Sequence, residues 1–229
     1  MRDRRFLIFA MALPRTAEFK AFGNEERIMY SILDIDLDYF NLVENPMNAL
    51  QDILLWAGRP ADFIVEKHSH ALLWWKKRLF RTYNHAPSHI LHVDEHHDMM
   101  DEKTITNIGN VMYQVMRTWP KCKVHWLIQD PIDSPAMWLS DTTWKSFRRR
   151  FTSGPTIPIA WPRLNLVSVC TSPEFLPEIL RNDLLKVVGN HRGTHLHGKS
   201  AEQVHEPDGP TCHGPCIRTA PVRSHRRLC

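Results

Sequence analysis

The chain has 229 residues, 43% of them hydrophobic and 24% charged, with a formal net charge of +4. This is the composition of a soluble globular protein; the modest charge marks out no nucleic-acid surface, and no apolar run approaches the roughly 20 residues of a membrane span. Five cysteines give no disulfide framework and fit a reducing, cytoplasmic compartment, and the length suits one α/β domain of ordinary size.

Residues 1–28 read as an N-terminal extension. Arg2, Arg4 and Arg5 precede an apolar run over 6–13 that imitates a short signal peptide but has no convincing cleavage site after it. A cytoplasmic extension, or a functional start at Met29, is the expectation. Between 31 and 40 acidic and apolar residues alternate with the period of a strand, Asp34, Asp36 and Asp38 on one face and Ile35, Leu37 and Tyr39 on the other. Asn45-Pro46 then opens a helix in cap and first-turn positions; Met47, Leu50, Ile53, Leu54 and Trp56 form its buried side, and Gly58 and Pro60 close it. A short strand over 62–65 leads through Glu66-Lys67-His68-Ser69-His70 into a helix over 71–83.

The apolar segment Ser88-His89-Ile90-Leu91 reads as a buried strand running into His92-Val93-Asp94-Glu95-His96-His97-Asp98. A helix follows over 104–119, with Ile105, Ile108, Val111, Met112, Val115 and Met116 at core spacing. A strand over 123–128 comes next, then a short helix over 141–151 whose Arg148-Arg149-Arg150 reads as a solvated face. A buried strand over 164–170 enters Thr171-Ser172-Pro173-Glu174, and a helix over 177–188 stops at Gly189. From 190 to 229 histidine, proline and charge replace apolar periodicity, which reads as an unstructured tail; its histidines and cysteines match no standard zinc-finger spacing. Strands alternating with helices imply a three-layer α/β sandwich with a mainly parallel sheet over 29–189, and ligands in such folds gather at the carboxyl ends of the strands.

The chemistry concentrates at two of those ends. In an extended chain Asp94, His96 and Asp98 share a side. Two carboxylates and an imidazole crowded in a partly buried place carry a large desolvation and repulsion cost unless a cation neutralises them. Mixed oxygen and nitrogen donors suit Mn²⁺, Fe²⁺ or Zn²⁺, and the lack of thiolate speaks against a closed structural zinc site. The acids of 34–38 repeat the pattern, so both ends are expected to converge on a two-metal centre with ions about 3.5–4 Å apart. The alternative is a polar loop whose acids and histidines are simply solvated.

Leu33-Asp34-Ile35-Asp36-Leu37-Asp38-Tyr39-Phe40, Val65-Glu66-Lys67-His68 ahead of Ala71-Leu72, His92-Val93-Asp94-Glu95-His96-His97-Asp98 and Cys170-Thr171-Ser172-Pro173-Glu174 together resemble the arginase-related group that includes peptide arginases. The resemblance covers about 29–189. It implies an arginase/deacetylase-like fold and two Mn²⁺ ions held by Asp36, Asp38, His68, Asp94, His96 and Asp98, with His70 competing for the place of His68. It also implies hydrolysis of arginine in a ribosomally made precursor peptide to ornithine and urea, with Asp98 orienting the attacking water and relaying its proton. In arginases the Asp-x-His-x-Asp strand comes before the Asp-x-Asp strand; here the order is reversed, so a permuted strand order is expected.

Glu174 is the expected partner of the substrate guanidinium, because a carboxylate accepts its forked N–H donors in bidentate fashion; the competing reading is an acid in a helix's first turn. No further polar motif is available to hold the α-amino and α-carboxylate groups of free arginine, so a peptide substrate is expected in a cleft rimmed by aromatics such as Trp74, Trp75 or Trp138. Two other functions stay open: a zinc-dependent deacylase of the same superfamily, and a non-catalytic binding module. Self-association is left open.

Overall fold

The computed structural model describes residues 30–82, 86–128 and 133–194. In chain order its main elements are β1 (Ser31–Asp36), α1 (Pro46–Ala57), β2 (Phe63–Val65), α2 (His68–Thr82), β3 (His89–Val93), α3 (Val111–Thr118), β4 (Lys123–Leu127), α4 (Asp141–Phe147), β5 (Phe151–Gly154), β6 (Leu164–Cys170) and α5 (Glu178–Thr194). The strands lie in the order β2-β6-β1-β3-β4-β5 and every neighbouring pair is parallel. Helices flank the sheet, α1 packing against α5 and α2 against α3. The expected three-layer α/β sandwich is therefore present. β1 is buried along its whole length, as a strand covered on both faces must be.

Connectivity places the site. From β1 the chain passes to β2 on one side and then crosses to β3 on the other, so the carboxyl ends of β2, β6, β1 and β3 stand side by side where the winding changes direction. Open parallel sheets bind ligands at such a point. Register completes the frame: Asp34 lies opposite His92 of β3 and Ser168 of β6, which puts three polar side chains in one row across the middle of the sheet.

Several elements differ from the sequence expectation. β1 stops at Asp36, and Leu37–Leu42 is a 3-10 helix opened by the Asp36 carboxylate, which accepts the Asp38 N–H. Asp38 thus reaches the site from a helical turn rather than from the strand face shared by Asp34 and Asp36. α2 begins at His68, three residues earlier than expected. Within α1, Leu50, Ile53 and Leu54 are buried, but Met47 and Trp56 are exposed and Ala49 takes an inner position. Gly58 closes that helix at φ 63, the left-handed conformation that glycine adopts without steric cost.

The helix expected over 104–119 is confined to Val111–Thr118. Ahead of it, side chains claim the backbone: Asp101 accepts from the Lys103 N–H and from the amides of Asn107 and Asn110, and Asn110 in turn accepts the Asn107 N–H. Short polar side chains that bond locally compete with helix formation in this way. The helix expected over 141–151 ends at Phe147, and Phe151 begins β5. Arg150 is not on a solvated face; its guanidinium donates to the carbonyls of Met116, Trp119 and Cys122, at the carboxyl end of α3 where cations are favoured. α5 runs on to Thr194, so 190–194 continue a helix rather than begin a tail. The extension over 1–28 and the tail beyond 194 lie outside the described residues. Among the described residues no helix is long and apolar enough to cross a membrane.

Candidate metal centre

The six predicted ligands are delivered by the carboxyl ends of three strands. Asp36 is the last residue of β1, Asp38 follows in the 3-10 turn, His68 opens α2 after β2, and Asp94, His96 and Asp98 follow β3. Together with Met100, Ile108, Gly109, Ser172 and Phe175 they line a cavity of about 140 Å³. The six residues expected to hold metal therefore converge, and His70 belongs to none of the candidate ligand groups among the described residues.

One nitrogen sits at the centre of the acids. His68 Nδ1 lies 2.9 Å from Asp98 Oδ2, 3.2 Å from Asp94 Oδ2 and 3.4 Å from Asp36 Oδ2. A single N–H cannot point at three oxygens, whereas a cation among them is shared by all four atoms. On the opposite edge of the ring Nε2 meets Asp34 Oδ2 at 2.7 Å. That contact fixes the proton on Nε2 and leaves the Nδ1 lone pair for a cation, the carboxylate–histidine arrangement that orients metal ligands. Asp34 is fully buried and also accepts from Ser168 Oγ, which accepts from the Trp75 indole.

The second set lies further out. Asp38, Asp94 and His96 bring ligand atoms together, and the His96 side chain is 38% exposed where those of Asp38 and Asp94 are nearly inaccessible. Asp94 belongs to both sets. Its Oδ2 faces His68, while Oδ1 is 3.7 Å from His96 Nδ1 and accepts the His96 N–H at 2.6 Å. The Asp94 carbonyl is held in turn by the indole of Trp126 at 2.9 Å. Backbone strain collects here too: Asp98 has φ 51 and Ser172 has φ 36. Side chains pay on the order of 1–2 kcal/mol to adopt this region. Ser172 Oγ donates to Asp36 Oδ2 at 2.6 Å.

Electrostatically the cluster is short of positive charge. Five carboxylates meet three imidazoles, so even full protonation of the histidines leaves the cluster negative. Burial, then Asp94 and Asp38, push Asp36 well above the usual carboxylate range; burial and Asp94 raise Asp38. Burial and Asp94 raise Asp98 to about 6. Asp34 is held low despite its burial, by His68 and His92. Hydrogen bonding to Asp38 and Asp94 raises His96 to about 11. Asp38 Oδ1 and Asp98 Oδ2 are buried without a hydrogen bond of acceptable geometry among the described residues. Orphaned buried oxygens, crowded acids and an all oxygen and nitrogen donor set fit a hard or borderline divalent ion.

Other predicted residues stand apart. Glu174 is exposed in the turn before α5 and does not line the cavity. Trp75 is core, Trp74 packs against the core, and Trp138 is exposed but does not line the cavity; the mouth is apolar through Ile108 and Phe175 instead. Sequence reasoning passed over His92, whose Nδ1 lies 3.0 Å from Asp34 and whose Nε2 lies 3.1 Å from the His96 carbonyl. It also passed over His97, whose Nδ1 accepts the Met99 N–H and whose Nε2 faces Asp133 at 3.5 Å. Burial pushes His97 down to about 4. The signal for His92 was its place in the period of β3, opposite an acid in β1. No protein-family model, no curated protein and no solved structure matches the chain.

Proposed function

We propose that the protein is a metal-dependent hydrolase that cleaves the guanidinium group of arginine residues in a peptide, giving ornithine and urea, with two Mn²⁺ ions as cofactors. The observation that carries the reading is the double membership of Asp94, one carboxylate shared by an inner set with Asp36, Asp98 and His68 and an outer set with Asp38 and His96. The cations, when bound, supply Lewis acidity and lower the pKa of a water for attack on the guanidinium carbon.

The protein's own groups do the rest. The ligand carboxylates would offset the charge of the two cations, so that the loaded cavity does not repel a cationic guanidinium. Asp34 holds the ring of His68 in place, and the buried row behind it keeps water out. In this reading Asp98 takes a proton from the attacking water and returns it to the departing amine. A cavity of about 140 Å³ falls below the roughly 300–1,000 Å³ of sites that enclose a whole ligand. It suits the head of a long side chain whose backbone stays outside, which supports a peptide substrate over free arginine.

The completeness of the inner set without Asp38 and His96 favours one competing reading, a single-zinc deacylase. Metal content of the purified protein, followed by incubation with Mn²⁺ and arginine peptides, decides between them. About two manganese equivalents and the mass loss of arginine-to-ornithine conversion support the proposal. One zinc equivalent and deacylation without urea release would replace it.

A further inference from the structure

Beyond the metal cluster, the cavity mouth has its own chemistry. Ile108 and Phe175 line it while remaining 42% and 48% exposed. They come from different sides: Phe175 from the turn after β6, Ile108 from the segment ahead of α3. Scattered exposed apolar residues need no explanation. Two that flank the entrance of a strongly charged cavity are a different matter, because each places apolar surface where a bound chain must emerge.

The Ile108 side is rigidly built. Asp101, Asn107 and Asn110 tie 101–110 into one hydrogen-bonded unit. Met100 N–H donates to the Gly109 carbonyl, and Gln114 Nε2 donates to the Lys103 carbonyl. The segment therefore does not fold its apolar side chains inward; Ile105, at 79% exposure, stands out beside Ile108. On the other side the Phe175 ring lies 6.2 Å from that of His96, so it abuts the outer ligand set directly. Among the described residues no lysine or arginine lines the cavity, and its exposed imidazole, His96, is a proposed metal ligand. An acidic neighbour of the substrate arginine would find no partner there and would face the carboxylates instead.

We propose that the mouth selects the residues adjoining the substrate arginine, and that Ile108 and Phe175 make an apolar residue the preferred neighbour. This inference rests on the arginine-peptide reading of the cavity. Burial of one leucine side chain against this surface lowers KM by about tenfold or more.

The test uses the full-length, manganese-loaded protein and two labelled peptides of equal length with one arginine, flanked on both sides by leucine or by asparagine. Urea release gives kcat and KM, and fluorescence anisotropy gives binding independently of turnover. The expected result is a KM and a dissociation constant about tenfold lower for the leucine peptide, and a collapse of that difference to about twofold in Ile108→Asn and Phe175→Asn with metal content unchanged. Equal constants for the two peptides, or a preference that survives both substitutions, would overturn the inference. If neither peptide releases urea the guanidinium reading fails, and the anisotropy difference still decides the selectivity of the mouth.

Discussion

Asp34 Oδ2 stands 2.7 Å from His68 Nε2, on the edge of the ring that faces away from the cavity. Asp34 lies outside the cavity lining, yet it decides which nitrogen of His68 faces the acids. In Asp34→Asn the shape is retained but the buried charge that holds the Nε2 proton is lost. Metal affinity should fall by about 10–100-fold, the usual effect of losing such a supporting carboxylate. Titration of Mn²⁺ into the metal-free variant checks this, with circular dichroism confirming the fold; wild-type affinity would remove Asp34 from the metal centre.

The shared position of Asp94 separates two kinds of ligand loss. Asp94→Asn, like Asp36→Asn, removes an anion from the inner set, and metal occupancy and turnover should disappear together. His96→Ala disturbs only the outer, half-exposed set, and should leave about one metal equivalent bound. Elemental analysis after dialysis reads the difference directly. Loss of all metal from His96→Ala would mean that the two sets are not independent.

The pH dependence has a definite sign. Asp98 has a folded value of about 6 against an ordinary 3.8. Between those values the metal-free folded state binds more protons than the unfolded state, so this group's contribution to stability falls as pH rises and is fully unfavourable above 6. The size is roughly 2–3 kcal/mol. His97, at about 4 against 6.5, acts in the opposite sense: the unfolded state binds the extra proton between pH 4 and 6.5, and stability rises with pH. Metal-free Asp98→Asn loses the first effect and keeps the second, so its melting temperature should climb more steeply from pH 4 to 6.5 than that of the wild type. Parallel pH profiles would show that Asp98 is not a raised carboxylate. Metal must also displace the Asp98 proton below pH 6, and Mn²⁺ affinity should weaken there.

Glu174 gives a sharper contrast. As the partner of a buried guanidinium it would be indispensable, but it is exposed and off the cavity wall. Glu174→Gln should therefore change kcat/KM on an arginine peptide by about threefold or less. A loss of about a hundredfold would restore the bidentate role.

Much of this arrangement was legible because acids and apolar residues alternate in the sequence. A strand buried on both faces has no ordinary use for Asp34 and Asp36, so their presence in Ser31–Asp36 pointed to a site. What escaped was decided by local competition. The apolar spacing of Ile105 and Ile108 continues that of Val111 and Val115, but Asp101, Asn107 and Asn110 capture the intervening backbone and stop the helix short. β5 has four residues and two exposed positions, too brief to leave a period. The role of Asp34 was illegible for another reason: which oxygen meets which ring nitrogen depends on the register of three strands.

All six candidate ligands lie between residues 36 and 98, yet His68 cannot join the other five until residues 164–170 arrive. Among the described residues β2, which carries the chain to His68, pairs only with β6, and β6 is the strand that joins it to β1. During synthesis the ends of β1 and β3, which pair directly, emerge early with five of the ligands, and the sixth waits for the strand that wedges between β2 and β1. Completion of the inner set is thus a late event in folding, and an ion held tightly there reports that the sheet has closed in the right order.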